Sequence, residues 1–238
     1  MRKIVSIGVI LYLVISVNLI HAGLPTSKGP VRVLSKSAGQ DFFLYAPNRI
    51  STYISNEGEL VSFRVTGNSG MEWPAGSGNR INFQSGIWIG GMVGTQIRTA
   101  AAEYTVEFTP GTYEDWKNGE DPKYKIYTIT RNDVIDKPGD DYLNWPFEDG
   151  APMLLDEKGR IVLDDDGNMI PGLIGTQLSW SVFNDADITA HANLWSTPPL
   201  GLEVQQTIFA FNRADVFGDM IFMKYLIINK GGNLIEDT

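Results

Sequence analysis

The strongest chemical signal in this sequence is a run of oxygen-bearing side chains, Asp164-Asp165-Asp166-Gly167-Asn168. Carboxylate and amide oxygens stand there at alternate positions, as in calcium loops, and Asp156 and Glu157 lie just upstream. Strand-like alternation turns Asp165 away and leaves Asp164, Asp166 and Asn168 as candidate metal ligands. These are fewer than the roughly six to eight oxygens calcium prefers, so a site here is expected to bind weakly, at about 0.1 to 1 mM. The EF-hand pattern is not met, because its glycine position falls on Met169 and its closing glutamate position on Gly175. Turn chemistry explains the same residues: Asp156-Glu157-Lys158-Gly159 before Ile161-Val162-Leu163 reads as a hairpin, and Asp166-Gly167-Asn168 as a second turn. Asn184-Asp185-Ala186-Asp187 is a further oxygen-rich turn. Calcium is the one cofactor for which the sequence offers ligands.

Other chemistries find less support. The only histidines are His21 and His191, which leaves no multi-histidine zinc or iron site, and there is no cysteine. No Gly-x-Ser-x-Gly elbow accompanies His191; Gly67-Asn68-Ser69-Gly70 is one residue short, so His191 reads as a loop histidine in a turn. Gly90-Gly91-Met92-Val93-Gly94 lacks the lysine of a phosphate-binding loop and reads as a turn between strands. Of the six tryptophans, Trp88 and Trp180 stand in strand patterns and are expected to be buried. Trp116, among Tyr113, Glu114, Asp115 and Lys117, is the candidate for an exposed ring that stacks on a sugar. With 28 acidic residues, no pair can be singled out for glycoside hydrolysis.

Residues 1–22 read as an export leader: Arg2 and Lys3, an apolar run from Ile4 to Ile20, then Ile20-His21-Ala22 ending on a small residue. The alternative is a membrane span, but the run is short and diluted by Ser6, Ser16 and Asn18. The protein is therefore expected to be secreted or displayed on the outer cell surface, with no membrane insertion after cleavage. Removal of Arg2 and Lys3 takes the net charge from -9 to -11, which disfavours nucleic acid as a partner. With no disulfides, the 216 residues after Ala22 must be held by their core.

That core is expected to be all-β, an antiparallel β-sandwich. Tyr104, Val106 and Phe108 alternate with polar residues, as do Leu178, Trp180 and Val182, while Leu202, Val204, Ile208 and Ala210 share one face. Ile50–Ile54, Leu60–Val65, Ile81–Ile89 and Lys125–Thr130 are further strand candidates. A helical turn fits only at Asp140–Asn144, after Pro138. The packed interior is predicted to include Trp88, Trp180, Val204, Ile208, Phe222 and Leu226. Met220–Asn229 reads as a long strand and Lys230-Gly231-Gly232-Asn233 as a hairpin turn from which Leu234 returns. Only five residues remain to pair, so the sandwich is expected to be incomplete at its C-terminus; the alternative is a short closing edge strand. The organisation is then a leader (1–22), an N-terminal extension or first strand (23–47) and a truncated sandwich domain (48–238).

Gly70-Met71-Glu72-Trp73-Pro74, Gly86-Ile87-Trp88-Ile89-Gly90-Gly91, Ala100-Ala101-Ala102-Glu103-Tyr104, Trp145-Pro146, Gly150-Ala151-Pro152, Gly201-Leu202-Glu203-Val204-Gln205 and Lys224-Tyr225 to Asn229-Lys230 form a recognisable set. In these motifs the region from Asn48 to Thr238 resembles the N-terminal part of large, uncharacterised secreted proteins of Bacteroidetes-like bacteria. Such proteins often end in a type IX secretion sorting domain, sometimes preceded by fibronectin type III modules. The resemblance implies a longer chain whose other domains are partners of this one, and export by the type IX route. It implies no activity. Three functions stay open: a non-catalytic module for adhesion, display or scaffolding, which asks least of these residues; a carbohydrate-binding module; and part of an extracellular polysaccharide hydrolase. The partner outside the chain would be an extracellular glycan or protein.

The leader makes a direct prediction. Mass spectrometry of the exported protein should find Gly23 as the first residue; an intact Met1 on the exported protein would refute it.

Overall fold

A computed structural model describes residues 9–10, 31–34, 39–61, 69–103, 105–192, 194–233 and 235–236. Most of the expected leader, residues 62–65 of one strand candidate, Gly67, Asn68, Tyr104 and Leu234 lie outside the described residues.

The described chain begins with β1 (Val9–Ile10), β2 (Val31–Leu34), β3 (Asp41–Tyr45), β4 (Thr52–Ser55) and β5 (Glu59–Val61). Short strands follow: β6 (Met71–Glu72), β7 (Arg80–Asn82), β8 (Ser85–Gly86), β9 (Trp88–Val93), β10 (Gln96–Ala101) and β11 (Thr109–Pro110). The last group is β12 (Tyr127–Thr130), β13 (Gln177–Asn184), β14 (Leu202–Ala210), β15 (Ile221–Asn229) and β16 (Ile235–Glu236). Every pairing is antiparallel. The architecture is all-β and sandwich-like.

The central sheet runs β1-β15-β14-β13-β11, with β12 also on β13. Its register explains the burial on both sides. Leu202, Val204, Ile208 and Ala210 of β14 share one face, opposite Phe183 of β13 and Met223 and Ile227 of β15. The sheet β2-β3-β4-β5-β8 covers one half of this face through Phe43, Tyr45 and Ile54. The sheet β10-β9-β16 covers the other half through Ile89, Val93 and Ala100. On the reverse face Leu178, Trp180 and Val182 meet Tyr127, Ile129 and Phe209, beneath a largely irregular segment that brings Trp145 and Ala151.

The polar residues that alternate in β13 are not left to solvent. Ser179 and Ser181 are buried and each meets its cross-strand partner: Ser179 Oγ lies 2.8 Å from Thr128 Oγ1, and Gln206 Nε2 donates to Ser181 Oγ at 3.4 Å. Among the described residues α-helix is confined to three short pieces, α1 (Arg131–Ile135), α2 (Asp140–Leu143) and α3 (Ile188–His191). The second matches expectation. The first follows a capping box between Thr130 and Asp133 and is too short to carry an apolar stripe.

Four expectations are corrected. Val106 and Phe108 do not continue a strand; the chain bends there, and Val106 only bridges Ala102. Trp88 is 60% exposed, because β9 turns Ile89 and Val93 inward and Trp88 outward. Phe222 and Leu226 are half-buried, on a face of β15 that is only partly covered. Finally, β16 does not return on β15 but crosses to β9, pairing Ile235 with Val93. Gly231 serves a close approach in place of a hairpin. It donates to Gly201 O at 2.8 Å, and a Cβ on Gly201, at φ 86°, would stand 2.6 Å from Gly231 Cα.

The two ends of the described sandwich are tied by Arg49. Its guanidinium pairs with Asp219 and donates to the carbonyls of Arg213 (3.0 Å) and Asp215 (2.9 Å), while Asn48 Nδ2 donates to Met220 O at 2.8 Å. Trp73 Nε1 donates to the same Asp219 at 2.9 Å.

Truncation separates the two strand tryptophans. Trp180→Ala should cost about 3 to 5 kcal/mol in denaturant unfolding, as large buried side chains do. Trp88→Ala should leave the midpoint nearly unchanged; equal losses would contradict the placement of Trp88.

Candidate functional site

A buried acid-imidazole cluster lies where the bent segment before β11 meets the connection between α3 and β14. Glu107, Asp185 and His191 are all buried to 1% exposure or less. Glu107 Oε2 accepts from Ala101 N at 3.1 Å and Oε1 from Trp195 N at 2.9 Å. Asp185 Oδ1 accepts from the amides of Gly201 (3.0 Å) and Leu202 (2.6 Å), and Oδ2 from Leu200 at 2.7 Å. Such bonds offset the cost of burying polar oxygens. The cluster is turned toward backbone, and it holds the connection 194–201 in place.

His191 completes it from α3, whose N-cap Asp187 accepts from Thr189 N at 2.8 Å. Nε2 donates to Asp185 O at 3.0 Å and lies 3.6 Å from Asp185 Oδ2; Nδ1 lies 3.9 Å from Glu107 Oε1 with no hydrogen-bond partner among the described residues. Burial works against a charged ring. Hydrogen bonding and charge from Asp185, with Glu107 behind, outweigh it and hold the imidazole pKa above its ordinary value of 6.5. The expected loop histidine in a turn is thus corrected to a core residue between two carboxylates.

The same connection covers the open edge of β10. Thr197 Oγ1 accepts from Thr99 N at 3.0 Å and donates to Thr99 O at 3.2 Å, standing in for a strand partner. Arg98 Nη1 donates to Pro199 O at 2.8 Å. Ser196 sits at φ 56°, a left-handed conformation costly for a residue with a Cβ, and its amide donates to His191 O at 2.8 Å. Trp195, just before it, projects outward at 49% exposure and meets Trp88 edge-on, with ring centroids 6.1 Å apart and planes at 73°. This exposed pair of indoles is the main surface feature that sequence reasoning missed. No local signal marks it, because strand β9 alone does not say which of its faces is covered.

The predicted calcium residues lie elsewhere, in a three-cornered segment whose corners are the bridges Leu155 to Ile161, Leu163 to Met169 and Met153 to Pro171. An eight-residue repeat builds it: Leu154-Leu155-Asp156-Glu157-Lys158-Gly159, Val162-Leu163-Asp164-Asp165-Asp166-Gly167 and Ile170-Pro171-Gly172-Leu173-Ile174-Gly175. Each unit ends on a glycine at positive φ, 76°, 84° and 79° in turn. In the first two the aspartate closes its own turn. Asp156 Oδ1 accepts from the amides of Lys158 (2.8 Å) and Arg160 (2.9 Å); Asp164 Oδ1 accepts from those of Asp166 (3.0 Å) and Asn168 (2.7 Å). Asn168 Nδ2 donates to Asp164 Oδ2 at 3.2 Å, and the Asn168 bonds hold the Asp164 pKa below the usual carboxylate range. Asp164 and Asn168 thus meet each other directly, as members of a turn. Among the described residues no group of three or more His, Asp or Glu is arranged to hold a metal.

Trp116 is half-buried in a 3-10 segment (Tyr113–Asn118), with Lys117 Nζ 5.4 Å from its ring centroid. Trp88 and Trp195 are the more exposed rings. A cleft of about 510 Å³, lined by Ser69, Arg80, Ile81, Asn82 and Phe83, brings together no acid-base pair. Comparison with protein-family models, with curated proteins and with solved structures finds no match to this chain.

The cluster makes stability depend on pH. A raised imidazole pKa stabilises the fold fully below about pH 6.5, and that contribution is lost as pH rises through the folded-state value. The melting temperature should therefore fall as pH rises above about 6.5, and His191→Gln should flatten the slope. An unchanged slope in the variant would refute the assignment.

Proposed function

We propose that the chain is a non-catalytic β-sandwich module of a secreted or cell-surface bacterial protein, serving adhesion, display or scaffolding. One observation carries this reading: the most deeply buried acid-imidazole cluster is committed to backbone. The oxygens of Glu107 and Asp185 accept from five main-chain amides, and the imidazole between them lies under the surface. A catalytic acid or base must reach the proton it moves. These carboxylates are taken up by main-chain amides of β10, of the connection 194–201 and of Leu202.

The export leader and the family resemblance support placing the module outside the cytoplasm, beside other domains of a longer chain and with type IX export. Carbohydrate binding is the second reading. It is favoured by the exposed Trp88–Trp195 pair, held in place by the same cluster.

Turnover assays test the proposal. The full chain, incubated with polysaccharide, peptide and ester libraries, should release no product above buffer. Activity that survives repurification and is lost in Glu107→Gln, at an unchanged melting temperature, would overturn it.

A further inference from the structure

We propose that the Trp88–Trp195 corner is a binding site for neutral pyranose units of a carbohydrate chain. The inference deepens the module reading and rests on it for the absence of turnover. Its basis is the way one buried side chain sets both rings. Glu107 Oε2 holds the amide of Ala101, the residue directly across from Trp88 in the β9-β10 register, and Oε1 holds the amide of Trp195 itself. Both halves of the corner are thus fixed to the two oxygens of one carboxylate. The Thr99–Thr197 bonds and the left-handed Ser196 between Trp195 and Thr197 pin the rest. Binding sites gain affinity from side chains that need no ordering when the ligand arrives.

An exposed indole costs solvation unless something covers it, and the chemistry of this face selects what that is. Two planes at 73° offer a floor and a wall, a shape that takes a flat-faced ring with polar groups on its rim. Strand β9 continues the floor through Gly90, where an added Cβ would meet nothing closer than 3.8 Å, so the sheet surface beside Trp88 is low and open. The register places Trp88, Gly90 and Met92 of β9 on the same face as Ile97, Thr99 and Ala101 of β10. None of these is charged. Arg98, the cation on β10, is directed to Pro199 O on the other side of the strand. Among the described residues of β9 and β10 on this face none offers a countercharge to an anionic sugar, and Glu236 of β16 sits in register with Met92, whereas a neutral pyranose presents an axial C–H face to an indole and hydroxyls to its rim. Thr99 Oγ1, 3.1 Å from Thr197 Oγ1, keeps a lone pair beside the corner for a sugar hydroxyl.

The test titrates the full chain with neutral polysaccharides (β-glucan, xylan, mannan and starch) and with anionic alginate, by calorimetry and affinity electrophoresis. At least one neutral polymer should bind. Trp88→Ala and Trp195→Ala should each weaken that binding at least about tenfold without moving the melting temperature, and alginate should not bind. Absence of binding to every neutral polymer, or binding by both variants equal to that of the unsubstituted chain, overturns the site. So does a concentration-dependent dimer that either variant abolishes, which would make the corner a contact between copies. Each of those outcomes, with turnover still absent, leaves the non-catalytic reading standing; turnover on a bound polymer overturns that reading and keeps the site.

Discussion

Irregular backbone buried inside a sandwich must find hydrogen-bond partners, and this protein meets that demand with buried Asn, Asp and Glu side chains. The central strands satisfy one another, but the segments that pack on them do not form long ladders. Asn56 donates to the carbonyls of Gly39 and Tyr124 and accepts from Asp41 N. Asn184 donates to Gly111 O and accepts from Ala186 N. Glu203 accepts from Tyr113 N, and Asp141 from Thr128 N. Each such group stands in for a strand or a cap, at net values of about 1 kcal/mol while intact and larger losses when one partner is left alone. A chain without disulfides depends on this network for the shape of its connections. Its hydrophobic core alone would not define them.

The same constraint explains why the exposed indoles and the buried acids belong to one assembly. Trp195 is carried by a segment with no regular structure of its own, and such a segment would ordinarily wander. Two carboxylates, a threonine and an arginine hold it from below. The positional order needed at the surface is obtained from carboxylate side chains kept out of water. Their burial is tolerable because the amides they accept were themselves in need of partners.

The all-β class was legible from periodicity, as were the core positions of Trp180, Val204 and Ile208, because both neighbours of the central strands are strands of the same sheet. What failed were readings that depended on a third layer. Glu107 sits between Val106 and Phe108 in apparent alternation, yet it points inward, since its partners are six and 88 residues away and leave no local mark. Trp88 and Ile89 look alike in a window of apolar residues, and only the docking of β9 on β14 and β15 decides which is covered. The eight-residue recurrence around Asp156 and Asp164 was present in the letters. It was hidden because its third copy has Gly172 where the others have aspartate.

The tie between Arg49 and Asp219 bears on the time course of folding. The sheet built by β3 to β5 has its apolar face against β14 and β15, so its core contacts join residues more than 150 positions apart. Ribosomes add about 5 to 20 residues per second, which leaves the N-terminal sheet unpartnered for roughly 10 to 30 s of synthesis. High contact order slows closure further. During that interval the apolar face of β3 to β5 remains uncovered.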